Sequence, residues 1–108
     1  MMRGEIWTAA GPGYASKPRP VMILQDDRFD LTASVTVIPL TTEHIDAPLL
    51  RVPIPATDKT GLRVESFAMI DKMVTVKRSA IHDRIGIAPT ATLRDINRKI
   101  AAFLGLAA

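Results

Sequence analysis

The residues with the clearest chemical potential are polar side chains at the ends of predicted strands. Arg19 stands between Pro18 and Pro20, where a loop leads into the apolar stretch "VMIL", and Thr41 closes the β-branched stretch "SVTVIPLT". A guanidinium presents a planar fork of donors that fits two phosphate oxygens, and a hydroxyl can donate to the same group. Residue type alone also allows a surface ion pair for Arg19 and a turn hydroxyl for Thr41.

The two prolines make the Arg19 corner stiff. Pro18 restricts the chain before the arginine, and Pro20 biases Arg19 itself toward an extended backbone. Because the apolar stretch that follows anchors this corner, Arg19 would lose little entropy in holding a ligand.

Other polar residues lie where predicted strands begin or end. Ser66, Asp71 and Lys72 flank the stretch "FAMI", and the loop "GPGYASKP" carries Tyr14 and Lys17. The loop therefore supplies a ring that can stack and a cation, although a disordered loop with a chance aromatic has the same composition. Asp71 and Lys72 are equally compatible with a solvated corner.

Several chemistries find no support in the residues. The chain has no cysteine, which removes thiolate nucleophiles and Cys-based zinc sites, and the spacing of His44 and His82 matches no metal motif. His44 follows Thr41 by three residues and could enter a site there, although a surface loop position is the more frequent outcome; His82 is predicted to lie in a turn. The acidic stretch "DDRFD" is interpreted as a solvated turn. We therefore expect no metal and no nucleotide cofactor.

Size and charge indicate one small cytoplasmic domain. The 108 residues, 11.8 kDa, are 47% hydrophobic and 23% charged, with a net charge of +3. Residues 71–108 hold seven Lys or Arg against three Asp or Glu, a mild excess that is compatible with a polyanionic partner. The start of the chain lacks the apolar segment of a signal peptide, and no stretch is long enough to span a bilayer.

Short extended segments dominate the predicted structure. Strands are predicted in these stretches: "GEIWTAA", "RPVMILQ", "SVTVIPLT", "LLRVPI", "SFAMI" with "MVTVK" as one bent strand or two, and "RIGI". "RPVMILQ" runs apolar without alternation, as a strand buried on both faces should, and Pro39 implies a bulge or an unpaired edge. The pattern predicts a mainly β fold with a C-terminal helix, as a small, strongly bent sheet or partly open barrel.

The final helix is predicted from its start signal and its apolar stripe. Pro89 and Thr90 suit a helix start, through a fixed φ and a capping hydroxyl. The residues expected to dock on the sheet recur at spacings of three and four: Leu93, Ile96, Ile100, Phe103 and Leu104.

Taken in order, the stretches "RGEIWTAA", "KPRPVMILQDDRF", "VTVIPLTT", "DKMVTVKRSAI", "RIG" and "AAFLGL" resemble the MazF/PemK family of toxins from bacterial toxin-antitoxin modules. The similarity spans essentially the whole chain. It implies a homodimer of small SH3-like barrels, each with a C-terminal helix, of the CcdB/MazF/PemK toxin type. It also implies a metal-independent endoribonuclease that cuts single-stranded RNA, inhibits translation and growth, and is held inactive by a small, acidic, partly disordered antitoxin.

The resemblance also implies roles for particular residues. The family's catalytic arginine and threonine fall on Arg19 and Thr41, and cleavage by the RNA 2′-hydroxyl leaves a 2′,3′-cyclic phosphate and a 5′-hydroxyl. One branch places a carboxylate base at the position of Asp71, two residues after an arginine whose position here holds Met69. Asp71 is therefore expected to be a base, an RNA contact or a partner of Lys72.

The expected RNA contacts come from two regions of the chain. Ser66 and Lys72 match family positions near the cut, and Tyr14 and Lys17 lie in the segment that borders the RNA groove. Two other functions stay open at this point: a CcdB-like, non-catalytic topoisomerase poison, and a degenerate RNA-binding module.

Overall fold

A computed structural model describes residues 1–107 of the 108-residue chain. Within these residues the chain forms seven strands and one α-helix. Their bounds are β1 Glu5–Gly11, β2 Ala15–Ile23, β3 Ser34–Thr41, β4 Arg51–Ile54, β5 Ser66–Met69, β6 Val74–Lys77, β7 Ile81–Ile87 and α1 Thr90–Phe103. The prediction of a mainly β fold with a C-terminal helix is confirmed.

The strands form one open, fully antiparallel sheet in the order β4-β5-β3-β2-β1-β7, with β6 pairing β3 off this path. β3 is the central strand because three others pair with it. Its first half pairs with β6, its middle with β2 and its last two residues with β5. Thr41 therefore lies where β3 runs between β2 and β5.

Apolar side chains fill both faces of the central strands. A first cluster packs against α1 and contains Ile6, Met22, Ile38, Leu40 and Ile96 among its members. A second cluster lies on the opposite face and includes Ala9, Val21, Ile23, Val35 and Val37. Successive residues of β2 alternate between the two clusters, which confirms that this strand is buried on both faces.

Two strand predictions are corrected in their bounds, and a third, which left two alternatives open, is decided. β2 begins at Ala15, so Lys17 and Pro18 lie in a strand and the β1–β2 hairpin loop covers only residues 12–14. β7 begins at Ile81 and includes His82, which is therefore not a turn residue. A 3-10 turn at residues 70–72 divides the segment predicted as one bent strand or two, so β5 and β6 are separate.

Pro39 marks a change of strand partner. The β6 pairing ends at Val37 and the β5 pairing begins at Leu40 on the same edge of β3. Backbone groups alternate in direction along a strand, and the Thr36 carbonyl accepts from Leu24 toward β2. The Pro39 nitrogen therefore faces the gap between β6 and β5, where β3 has no partner strand. No ladder hydrogen bond is lost there, and of the two predicted alternatives the unpaired edge is confirmed.

The connection from β2 to β3 is fixed by a side-chain amide. Gln25 donates from Nε2 to the Phe29 carbonyl and to Thr32 Oγ1, and its Oε1 accepts from Thr36 N–H at 2.9 Å. Asp26 caps the 3-10 turn of this connection by accepting from Arg28 N–H. Hydrogen bonds of the Gln25 and Asp26 side chains thus fix the connection between β2 and β3.

Helix α1 docks through fewer residues than predicted. Ile96 is fully buried, and Leu93 and Ile100 pack against the first cluster. Phe103 and Leu104 are 48% and 52% exposed, so the predicted docking of these two residues is wrong. Phe103 is the last residue of α1 and Leu104 is its C-cap. The capping prediction is also wrong, because Pro89 occupies the N-cap and makes no side-chain hydrogen bond.

β7 approaches the turn at residues 58–60 so closely that one of its positions must be glycine. A Cβ at Gly86 would lie 2.3 Å from the Lys59 carbonyl oxygen and 2.4 Å from the Thr60 carbonyl carbon. The neighbouring Ile87 N–H donates to the same Lys59 carbonyl at 2.9 Å. The missing side chain thus allows residues 59–60 to bond directly to the strand.

Among residues 1–107, α1 is too short and too polar to cross a membrane.

Candidate nucleic-acid site

Arg19 and Thr41 are brought together by the register of β2 and β3. The pairs Val21 with Pro39 and Met22 with Ile38 fix that register. Continued by two residues past Val21 and Pro39, where the paired residues of β2 and β3 end, the same register would set Arg19 opposite Thr41. Arg19 lies inside β2, which begins at Ala15, so the prediction that it starts the strand is wrong, whereas Thr41 does end β3.

Both side chains also project from the same face of the sheet. Alternate residues of a strand share a face, so Arg19 lies on the face of Val21 and Thr41 on that of Val37. Val21 and Val37 both belong to the second cluster. Directly opposed residues on one face have Cβ atoms about 4.5–5.5 Å apart. The guanidinium and the hydroxyl can therefore reach one small ligand.

The Thr41 hydroxyl is oriented by the backbone. Its Oγ1 accepts a 3.1 Å hydrogen bond from Glu43 N–H. Within the part of the chain that the structure describes, its O–H donates to no protein atom. Thr41 is therefore set up as a donor to an external group such as a phosphate oxygen.

Phe67 of β5 lies beside Thr41, on the side of β3 opposite to β2. Thr41 pairs with Phe67, and Phe67 in turn pairs with Pro53 of β4. The His44 ring meets the Phe67 ring edge to face, with centroids 5.2 Å apart. The structure thus places His44, which follows Thr41 closely in sequence, beside the predicted site.

Asp71 is paired with an arginine that the sequence pattern did not reveal. Arg51 Nη1 donates to Asp71 Oδ1 at 2.6 Å and to the Leu50 carbonyl at 2.9 Å. Arg51 lies directly opposite Met69, the position at which the resemblance led us to expect an arginine. The neighbouring strand therefore supplies the cation that the Asp71 segment lacks.

This ion pair changes the chemistry of Asp71. The hydrogen bond from Arg51 holds the pKa of the Asp71 carboxyl below its ordinary value, and the positive charge of Lys72 acts in the same direction. A general base works best when its pKa lies near the working pH. Asp71 is thus an ionised and weakly basic acceptor, and its hydrogen-bonded partner is Arg51 rather than Lys72.

The two predicted contacts beside Asp71 differ in exposure. Lys72 is exposed and forms no ion pair within residues 1–107. Ser66 is only 2% exposed, and its hydroxyl donates to the Val64 carbonyl at 3.2 Å. In this structure Ser66 therefore closes the turn before β5 and offers no group to a ligand.

The β1–β2 hairpin lies next to Arg19. Gly11 and Gly13 have φ values of 142° and 85°, and the Tyr14 N–H closes the turn by donating to the Gly11 carbonyl. Burial raises the pKa of the Tyr14 hydroxyl, while the nearby positive charge of Arg19 acts in the opposite direction. Tyr14 packs against the second cluster, and Lys17 is exposed and unpaired among the described residues. Residues 11–16 line an open depression with a volume of about 540 Å³.

Comparison with known proteins identifies the family of this chain. Residues 2–104 match the family model described as PemK-like, MazF-like toxin of type II toxin-antitoxin system. The chain is 53% identical over 108 residues to a probable endoribonuclease MazF of Mycolicibacterium smegmatis, covering 99% of each chain.

Solved structures show the same architecture. An endoribonuclease in complex with its cognate antitoxin, from a mycobacterial species, superposes with a TM-score of 0.82 at 26% identity and covers 100% of this chain and 98% of its own. The Mycobacterium tuberculosis toxin MazF-mt6 gives a TM-score of 0.82 at 25% identity, covering 96% and 99%.

The fold and the match over nearly the whole chain define a toxin of a bacterial toxin-antitoxin system. The chain belongs to the PemK-like, MazF-like family of type II toxins.

Proposed function

We propose that this protein is a metal-independent endoribonuclease toxin that cuts single-stranded RNA and thereby stops translation and growth. The observation that carries the proposal is the register of β2 and β3, which, continued past Val21 and Pro39, would set Arg19 and Thr41 opposite each other on the face of the second cluster. The 53% identity to a probable endoribonuclease supports the same activity.

In the proposed reaction the RNA itself supplies the nucleophile. The 2′-oxygen forms a bond to the adjacent phosphorus, and the bond from phosphorus to the 5′-oxygen of the next nucleotide breaks. The products are a 2′,3′-cyclic phosphate and a 5′-hydroxyl. The 2′-hydroxyl proton leaves to a base, and the departing 5′-oxygen takes up a proton.

The protein contributes charge and orientation at the phosphate. Arg19 is exposed and makes no ion pair among residues 1–107, so its fork is available for two phosphate oxygens. Thr41 donates its free O–H to the same group. Donors fixed in advance on strands stabilise the charge of the crowded phosphorus centre without reorganisation at the moment of reaction.

Asp71 has a positioning role in this proposal. Its lowered pKa makes it a poor acceptor of the 2′-hydroxyl proton, and its carboxylate instead fixes the guanidinium of Arg51. A water molecule or the His44 ring beside Phe67 is better suited to receive the proton, since histidine is the residue type most often used for this task.

The remaining exposed cations and the hairpin are proposed to hold the RNA strand. Lys17 and Lys72 contact phosphates, and the half-buried Tyr14 ring offers its exposed part to an unpaired base. The partners proposed are a second copy of this chain, as a homodimer, and a small acidic antitoxin. A mycobacterial endoribonuclease with a similar fold has been solved with its cognate antitoxin. The place of action is the cytoplasm, where mRNA is translated.

The test is to map RNA ends after incubation with the purified protein. Cleavage should leave cyclic-phosphate ends, continue in EDTA and stop when the nucleotide before the cut carries a 2′-deoxy sugar. Equal cleavage of the 2′-deoxy substrate would refute the mechanism. RNA binding without cut ends would indicate a binding module, and growth arrest without RNA cleavage would indicate a poison of another target.

A further inference from the structure

The pairing between β2 and β3 stops just before the two residues of the proposed site. Its last paired residues are Val21 and Pro39, although both strands extend further in that direction. There β2 stays paired with β1 through Arg19, and β3 stays paired with β5 through Thr41. Each of the two residues is therefore held by an outer neighbour, and among residues 1–107 no ladder pair joins their strands at this point.

Pro20 stands where the next hydrogen bond of this ladder would form. Backbone groups alternate in direction along a strand, and Leu24 N–H, directly after β2, donates to the Thr36 carbonyl of β3 at 3.1 Å. Counted back from Leu24 in steps of two, the backbone nitrogens of residues 22 and 20 also point toward β3. Position 20 holds a proline, which has no N–H. The Leu40 carbonyl, its partner in the register, therefore receives no donor from β2.

A longer ladder would press the two side chains of the site together. Since Leu24 and Thr36 are joined by a hydrogen bond, the alternation would make Arg19 and Thr41 a pair without hydrogen bonds. The Cα atoms of such a pair lie only about 4.5 Å apart, and the side chains touch. The guanidinium and the hydroxyl would then meet directly, whereas the proposed reaction needs a phosphate between them. In the structure Arg19 is exposed and Thr41 half-buried.

We propose that Pro20 is a positioning residue for the cleavage reaction. It withholds a ladder N–H, which ends the pairing of β2 with β3 and keeps Arg19 and Thr41 far enough apart to hold a phosphate between them. Pro20 itself touches no reacting atom and acts through the positions of those two residues. The inference rests on the proposed ribonuclease function and adds the backbone feature that keeps the site open.

The first experiment restores the missing donor with Pro20→Ala. The new N–H at position 20 should bond to the Leu40 carbonyl and extend the ladder. Hydrogen exchange followed by NMR measures this directly, and the new N–H should exchange roughly tenfold or more slowly than in an unstructured chain. This measurement does not depend on RNA cleavage.

The second experiment measures single-turnover and steady-state cleavage of RNA by the same variant. Pro20→Ala should lower kcat by about 10- to 100-fold because the two donors no longer bracket the phosphate. The KM should change little, since Lys17 and Lys72 still hold the RNA strand. The matched control carries N-methylalanine at position 20, introduced by chemical synthesis. It lacks both the N–H and the proline ring, and should retain most of the wild-type kcat.

A third experiment uses binding alone, so that its outcome stands apart from the proposed reaction. A 2′-deoxy-blocked oligonucleotide is titrated into the protein, and the NMR signal of the Arg19 Nε–H is followed. The signal should shift in the wild type and in the N-methylalanine protein, and much less in Pro20→Ala. If the wild type shows the shift but never cuts RNA, the proposed function fails while the role of Pro20 is supported.

Three results would overturn the inference. The first is a freely exchanging N–H in Pro20→Ala, which would show that the ladder does not extend. The second is a protected N–H together with wild-type kcat and a wild-type Arg19 shift. The third is an equal loss of kcat in Pro20→Ala and in the N-methylalanine protein, which would assign the effect to the stiffness of the proline ring.

Discussion

Arg51 Nη1 donates to Asp71 Oδ1 at 2.6 Å from a strand position directly opposite Met69. The cation is thus supplied across β4 and β5, while the carboxylate stands in the 3-10 turn that follows β5. The arginine expected at position 69 of β5 is thus replaced by Arg51 of β4, which forms the ion pair with Asp71. The Arg51 side chain is only 9% exposed, and its Nε is buried without a hydrogen-bond partner among residues 1–107.

The ion pair predicts a pH dependence of stability. Because the pKa of Asp71 is lower in the folded than in the unfolded chain, its contribution is present above the ordinary pKa of an aspartate and is lost as pH falls through the folded value. Because Asp71 is exposed to solvent, Asp71→Asn should lower the free energy of unfolding by only about 1 kcal/mol or less at pH 7, and the difference from wild type should shrink in acid. Urea titrations across pH measure it, with the exposed Asp58→Asn as control; a difference that grows in acid would contradict the assignment.

Removal of the Arg19 side chain should abolish cleavage without unfolding the protein. Arg19 is exposed and has no protein partner among residues 1–107, so Arg19→Ala should change the melting temperature little. Loss of a preorganised charged donor should lower kcat by roughly 100- to 1,000-fold. Arg98→Ala is the matched control. If Arg19→Ala cuts RNA at the wild-type rate, the site has been placed wrongly.

The Thr41 hydroxyl can be tested with two nearly isosteric replacements. Thr41→Val removes the donor and the acceptor of Glu43 N–H, and should lower kcat by about 10- to 100-fold. Thr41→Ser keeps the hydroxyl and should retain most activity. Single-turnover kinetics with a fluorescent RNA separates the variants. Equal rates for valine and serine would show that the hydroxyl is not used.

A methyl group at Gly86 should destabilise the fold strongly. Its Cβ would stand 2.3 Å from the Lys59 carbonyl oxygen, which is backbone and cannot rotate away. Gly86→Ala should therefore cost about 2–4 kcal/mol through displacement of residues 59–60. Gly105→Ala is the comparison, because its Cβ would meet nothing within 4 Å; its φ of 73° adds a backbone strain that is absent at Gly86. Thermal unfolding of both variants measures the losses, and a Gly86→Ala loss no larger than that of Gly105→Ala would contradict the steric explanation.

Two apolar residues of α1 should contribute very differently to the free energy of unfolding. Ile96 is fully buried, so Ile96→Ala should lower the free energy of unfolding by about 2–5 kcal/mol. Phe103→Ala removes a larger but half-exposed side chain and should cost under about 1 kcal/mol. Chemical denaturation of the two variants makes the comparison. Similar losses would mean that the helix end docks as the sequence pattern first indicated.

Local pattern predicted the elements well where one physical signal dominated. The apolar run of β2 and the β-branched run of β3 predicted two buried strands, and these two strands bring Arg19 and Thr41 together. The Arg51 and Asp71 pair could not be predicted in this way. It depends on β4 and β5 pairing across twenty residues of sequence, and neither segment carries a signal that fixes its register.

The predictions for the end of α1 and for the β1–β2 hairpin were wrong for related reasons. Spacing places Phe103 on the apolar side of α1 but does not show how far along the helix that side is covered by the rest of the protein, and Phe103 is half-exposed. The glycines and prolines of residues 11–18 indicated a long loop, although the pairing of β1 with β2 draws residues 15–18 into a strand. In both cases the neighbouring element, and not the local sequence, sets the boundary.

The position of Pro39 within β3 affects where the chain can accept inserted residues. Residues 24–33 join β2 to β3 outside both strands, and insertions there leave Arg19 and Thr41 opposed. A one-residue insertion within β3 after Val37 would turn Thr41 toward the helix side and move the proline nitrogen to face β2, where a ladder hydrogen bond would be lost. Such a slipped strand would lose both stability and the proposed Arg19 and Thr41 site, so we expect changes in length to be tolerated in the connection and not in β3.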